Sequence, residues 1–292
     1  MIPFLPFGFS CIALCLCWIL PLCASAQTPL FAADGTTTHY DALLAAVQRS
    51  DVVLFGELHT DSLCHALELR LLQDAHVFWG NKLVVAAEML EADQQMVLDE
   101  YLSQLITEKN FQGALQLWKN YAADYAPLVN FARQKGLPFV AANIPRRYAS
   151  MVFRGGFEAL NGLSKAAKRH IAPLPIAFDP DLPNYRAMLD MGNGMGGDHQ
   201  PNLNFPRAQA IKDATMAHFI VRNWRRGKCI LHFNGAYHSN NREGIVWYLR
   251  RYKPQLRILT ISTVQQAQQD TLDEKNRQLA DFILVTPLQE EE

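Results

Sequence analysis

Short apolar runs recur along the chain, each bounded by polar or turn-forming residues. They fall at residues 52–55, 82–88, 137–142, 229–233, 256–262 and 282–285. Each is rich in Val, Ile, Leu, Ala or Phe, and the first is too short for two helical turns. Such runs predict buried strands. Between them the apolar period lengthens to that of a helix. A helix capped by Asp61 or Ser62 is expected to run to about Ala75, with Leu63, Leu67 and Leu71 at i+4 spacing. From Ala92 onward, Leu98, Tyr101, Leu102 and Leu105 fall at i, i+3, i+4 and i+7. Residues 41–49, 111–135, 148–171 (interrupted at Gly155-Gly156), 207–226 and 244–251 also read as helical. The Gln-rich piece between the last two strands is expected to be a surface helix, and residues 28–40 an extended lead-in. Strands alternating with helices in this order build an α/β fold, with a mostly parallel central sheet flanked by helices and carrying helical insertions.

Residues 178–206 break the pattern. They hold four prolines, Met188, Met191, Met195, Tyr185 and His199, without clear periodicity. A stretch of this kind predicts one long loop insert, either a lid or an ordinary loop whose methionines pack the core. No internal repeat or linker is visible, so a single domain over residues 40–286 is expected, followed by an acidic tail at 287–292.

The first 26 residues change the picture of the compartment. They contain no Lys, Arg, Asp, Glu or His, and end on Ala24-Ser25-Ala26, a small-x-small site ahead of Gln27. That is the pattern of a signal peptide, and it predicts an exported protein, periplasmic or on the cell surface. A lipid anchor at Cys23 is the second choice, since Leu22 is bulky where a small residue is wanted. Cleavage leaves Cys64 and Cys229, too few for a disulfide scaffold. They could pair once, but each is better read as a small buried hydrophobe. The chain of 292 residues is 49% hydrophobic with a formal net charge of −1. This supplies one core and argues against a general nucleic-acid binder.

Candidate chemistry collects where the strands end. The first strand runs into Gly56-Glu57-Leu58-His59, with His65 in the next helical turn. The second ends at Glu88, and the third delivers Asn143, Arg146 and Arg147. A second Gly-x-x-His turn, Gly235-Ala236-Tyr237-His238, follows the run at 229–233. In open parallel sheets the carboxyl ends of the strands are where ligands bind. His59, His238 and Glu88 could hold a divalent metal such as Zn, Mn or Fe. Glu57, Glu88 and Arg146 could then carry hydrolytic chemistry, or a His–Glu pair could deprotonate water without metal. Arg146 would suit a carboxylate of substrate or haem, or simply pair with Glu57 or Glu88. Taken singly, Glu57 could cap a helix dipole and each histidine could be a satisfied surface group. The His-Glu-x-x-His spacing of the best-known metallopeptidases is absent.

Taken together, these motifs carry a resemblance. Gly-Glu-Leu-His59, Ala-Glu88-Met, Trp118 with Tyr125-Ala-Pro-Leu, Ala-Ala-Asn143-Ile-Pro-Arg146, the segment from Ala208 through Asp213 to Met216, and Gly-Ala-Tyr-His238 stand in an order similar to that of the ChaN-like haem-binding uptake family. That family sits within the wider Tiki/TraB and erythromycin-esterase-like superfamily. The resemblance implies an exported protein that binds haem, supports haem or iron uptake and holds haem in a homodimer, with an outer-membrane uptake receptor as a further partner. Relatives in the superfamily imply the alternative, a metal-dependent peptidase or esterase using Glu57, His59, Glu88 and His238. No family motif points to the haem ligand here. Tyr185 and His199 are the local candidates, because tyrosinate and imidazole both ligate haem iron.

Overall fold

The structure is a computed structural model, and it describes residues 28–193 and 202–289 together with Met1. In chain order, β1 (Leu30–Ala32) and β2 (Thr37–Thr38) precede α1 (Tyr40–Gln48), β3 (Val52–Glu57), α2 (Ser62–Trp79) and β4 (Leu83–Glu91). Then come α3 (Gln95–Leu102), α4 (Glu108–Ala114), a π-turn at Tyr121–Tyr125, α5 (Ala126–Lys135), β5 (Phe139–Asn143) and α6 (Arg146–Gly155). The second half supplies α7 (Pro183–Asn193), α8 (Asn204–Asn223), β6 (Cys229–Gly235), α9 (Ile245–Tyr252), β7 (Ile258–Gln265) and β8 (Phe282–Thr286).

The eight strands form one sheet in the order β2-β1-β8-β7-β3-β6-β4-β5. From β8 to β5 every pairing is parallel, and only β1 joins β8 and β2 antiparallel. The strands have apolar side chains on both faces because both faces are covered. Val53 and Phe55 of β3 pack on one side with Leu71 and Leu72 of α2 and with Leu128 and Val129 of α5. Val52 and Leu54 point the other way, toward Ala214, Met216 and Ala217 of α8 and Val246 and Leu249 of α9. Asp61 caps α2, accepting from the backbone N–H groups of Leu63 and Cys64. A cap of this kind stabilises a helix by about 1 kcal/mol.

The α/β fold and its mostly parallel sheet are as the sequence predicts. Several segments differ, each for a physical reason. The lead-in is a short antiparallel hairpin, β1–β2, which covers the exposed edge of β8. The predicted long loop over 178–206 is largely helical in its described parts. Pro183 opens α7, where a missing N–H costs nothing. Tyr185 and Met188, one turn apart, are buried against Ala210 of α8, and α8 itself begins at Asn204. The Gln-rich piece is not a helix beyond a turn at Glu274–Asn276. Its chain wraps instead around the buried amide of Gln266, which bonds Thr271, Asp273 and Asn276. Cys64 and Cys229 are both free and buried. The predicted signal peptide and His199 lie outside the described residues.

Candidate functional site

The three strands at the centre of the sheet, β3, β6 and β4, end side by side. Glu57 closes β3 opposite Gly235 of β6, and Ala87 of β4 lies opposite Phe233. Beyond Ala87 the register of β4 slips before Glu91, an irregularity of the sort that re-aims side chains beside binding sites. A Cβ at Gly56 would stand 2.9 Å from Ala236 Cα and from Ile261 O. Only glycine lets the chain pass there. Above these ends opens a cleft of about 1030 Å³, bordered by Glu57, His59, Glu88, Asn143, Arg146 and His238.

Side-chain alternation sorts the acids onto opposite faces of the sheet. Glu57 shares the face of Val53 and Phe55 and turns toward α2 and the π-turn. Its Oε1 accepts hydrogen bonds from His59 Nδ1 (2.6 Å) and from the Tyr125 hydroxyl (2.7 Å). The π-turn is what swings Tyr125 inward, a common use of a single π insertion. His65 stands behind, with Nδ1 2.8 Å from Glu68 Oε2 and 3.8 Å from Glu57 Oε2. Burial, and then the charge of Glu57, raise the Glu68 carboxyl well above the usual carboxylate range. The hydrogen bond to Glu57 raises the pKa of His59 against the opposing effect of burial. The His59 side chain remains 45% exposed and stands edge-on to Trp118.

Glu88 turns toward α8. Its Oε2 accepts from the Gly235 backbone N–H (2.8 Å), and its Oε1 lies 3.1 Å from His238 Nε2. On its other side, His238 Nδ1 donates to Asp213 Oδ1 (2.5 Å), and the Tyr185 hydroxyl donates to Asp213 Oδ2 (2.7 Å). The imidazole is thus held between two buried carboxylates. Burial alone would lower its pKa, but Glu88 and Asp213 push it up to about 9. Burial likewise would raise Glu88, yet the charge of His238 holds it well below the ordinary carboxylate range. Asp213 ends up raised, because its burial outweighs the pull of His238.

The residues singled out in the sequence therefore divide. Glu57, His59, Glu88 and His238 meet in the cleft, and Asn143 and Arg146 line it. Arg146 is mostly exposed, 3.8 Å from Glu91 rather than on Glu57 or Glu88, while Arg147 pairs with Asp93. Tyr185 is buried behind the cleft with its hydroxyl committed to Asp213, and burial raises its pKa further. His238 gives Nδ1 to Asp213 and turns Nε2 toward Glu88, and the His59 ring and Glu88 both border Gly235. Among the described residues, the acid–imidazole group whose ligand atoms lie within 4.8 Å of one another is Glu57, His65 and Glu68. Sequence reasoning missed Glu68 and Asp213 as site residues. Each is a lone carboxylate on the apolar face of its helix, beside Leu71 and Leu72 or beside Ala210 and Ala214. That placement is the signal that could have found them.

A parallel sheet with paired acid–imidazole clusters at its strand ends defines an α/β protein with a candidate ligand cleft above the sheet. The chain belongs to the family described as haem-binding uptake, Tiki superfamily, ChaN, which matches residues 43–249. Among solved structures it is similar to ChaN of Campylobacter jejuni, described in terms of cofacial haem binding. That match has 17% identity and a TM-score of 0.67, covering 88% of this chain and 95% of the other. The type III effector HopBA1 (13% identity, TM-score 0.46, 85% and 92% covered) and a Bacillus cereus protein (12%, 0.46, 82% and 72%) are more distant. No match was found among curated proteins.

Proposed function

We propose that this chain binds haem at the cleft, as an exported protein that supports haem or iron uptake. The observation that carries the reading is His59. Its Nδ1–H is held by the Glu57 carboxylate, so its Nε2 lone pair is left for a ligand at the cleft edge. A carboxylate behind the imidazole fixes the tautomer and raises ligand basicity, which is the outer-shell pattern of histidines that bind metals. Haem, when bound, would supply an iron centre that accepts such a nitrogen.

The rest of the cleft suits a flat apolar ring with acidic edges. Trp118, Ile144, Met188 and Phe205 provide apolar wall, and Arg146, Lys212 and Lys275 provide cations for propionates. Phe205 stacks edge-on with Phe153, and both are substantially exposed beside Leu203. This apolar rim supports a second copy packing over the ligand, with an outer-membrane receptor as a later partner in uptake. Export rests on the leader-like residues 1–26. Tyr185, with its hydroxyl given to Asp213, is a poorer ligand candidate than His59. The hydrolase alternative, built on Glu57, His59, Glu88 and His238, is the less favoured reading because the matched family is described by haem binding.

A haem titration followed by absorbance tests this reading. A saturable Soret shift is expected at micromolar protein, lost in His59→Ala. Glu57→Gln, which removes only the carboxylate behind the ring, is expected to weaken binding by about 10–100-fold. Gly235→Ala is expected to weaken binding with the fold intact, because its Cβ would stand 2.8 Å from the His59 ring. No Soret change in the wild type, or equal affinity in His59→Ala, would overturn the assignment.

A further inference from the structure

Behind the cleft, on the α2 side of the sheet, the buried side chains of Glu57, His65 and Glu68 face one another, with one ligand atom of each within 4.8 Å of the others. His65 Nε2 lies 3.2 Å from the carbonyl oxygen of His59. A carbonyl can only accept, so Nε2 carries a proton, and in the neutral ring the lone pair is then on Nδ1. Yet Nδ1 faces Glu68 Oε2 at 2.8 Å and Glu57 Oε2 at 3.8 Å, which are acceptors when ionised. Both acids are essentially fully buried. Glu57 Oε2 and Glu68 Oε1 are buried with no hydrogen-bond partner. Orphaned buried carboxylate oxygens are costly, and a native fold rarely leaves one on each of two carboxylates that face the same imidazole.

We propose that Glu57, His65 and Glu68 form a buried site for one divalent transition-metal ion, distinct from the cleft in which His59 and His238 stand. Ligand atoms bound at about 2.0–2.1 Å lie roughly 3.0–3.3 Å apart across a tetrahedral or octahedral edge. The 2.8 and 3.8 Å separations bracket that range. The bond from His65 Nε2–H to a backbone carbonyl is the usual support behind a ligating imidazole. One imidazole with two carboxylates suits Zn²⁺ or Mn²⁺ better than Ca²⁺, whose sites are all oxygen. Glu57 would then be shared, with Oε2 on the ion and Oε1 holding His59 and Tyr125 toward the cleft. The ion would brace the cleft histidine from behind without touching the cleft's ligand.

The test is metal content, which does not depend on haem. Purified protein is stripped with chelator, dialysed against Zn²⁺ or Mn²⁺ alone, and assayed by elemental analysis. About one ion per chain is expected. It should be lost in His65→Ala and in the near-isosteric Glu68→Gln, and kept in His238→Ala. No ion in the wild type would overturn the site in favour of a proton shared between the two acids. So would an ion kept by folded Glu68→Gln but lost from His238→Ala. Should the α2 variants not fold, X-ray absorption on the zinc-loaded wild type decides. One imidazole among oxygen ligands supports the site, and two imidazoles would move the metal to the cleft.

Discussion

Asp213→Ala is expected to lower the melting temperature by about 6–20 °C, measured by circular dichroism, because removing one partner from a buried charged network costs about 3–5 kcal/mol. Asp213 is fully buried and accepts from both Tyr185 and His238. Its removal leaves the Tyr185 hydroxyl without an acceptor and His238 with one carboxylate instead of two. The same network sets a pH dependence. The His238 pKa rises from 6.5 in the unfolded chain to about 9 in the fold. A raised pKa contributes stability that is complete below the unfolded value and is lost as pH climbs through the folded one. Stability should therefore fall by about 3 kcal/mol between roughly pH 6.5 and 9.5. In Asp213→Asn, which keeps the shape but not the charge, that slope should be shallower. A wild-type stability flat across this window, with Asp213→Ala melting within about 2 °C of it, would show that His238 is not clamped as described.

Gly244→Ala is expected to cost about 2–4 kcal/mol, through strain and overpacking together. Gly244 precedes α9 at φ +49° and ψ −116°, a conformation that side chains rarely adopt. A Cβ there would stand 2.3 Å from the carbonyl oxygen of His238 and 3.3 Å from Asp213 Cγ. The backbone under the imidazole would have to move, so the variant should also blunt the pH profile of His238. Gly227→Ala separates the two causes. Gly227 also has a positive φ (+83°), but nothing lies within 4 Å of its built Cβ. Its loss should stay near 1 kcal/mol. Equal melting temperatures for the two variants would remove the steric part of the argument.

What could be read from the sequence depended on whether a signal was local. The buried strands β3, β4, β5 and β6 announced themselves as apolar runs, and the groups at their ends came with them. Glu57, His59 and His238 were visible because each closes or follows a strand, and Glu88 because it lies in the last residues of one. Their partners were not. Asp213 and Glu68 sit mid-helix, where a lone acid looks like a solvated position until the opposite element is known. The α7 segment read as loop because prolines and glycines in and around it mask an 11-residue helix whose burial depends on α8. The β1–β2 hairpin was invisible for the same reason, since its pairing with β8 lies at the far end of the chain. Leu63 shows the opposite error. It belongs to the i+4 series with Leu71, yet it is 44% exposed while Cys64, His65 and Glu68 face inward.

The strand order has a consequence for how the molecule comes into being. β3 and β4 are both made early, but they are not neighbours, because β6 lies between them. During synthesis, residues 92–228 must follow before that central strand exists. At ordinary translation rates the wait is on the order of ten seconds. Until then two apolar strands carry open backbone edges facing an empty slot, a template for pairing with the wrong chain. A polypeptide stopped before residue 229 would hold Glu57, His59 and Glu88 but lack His238 and the strand that spaces them. Such a chain is a natural client for a holding chaperone. Ligand binding by the cleft would then report that the last central strand has docked.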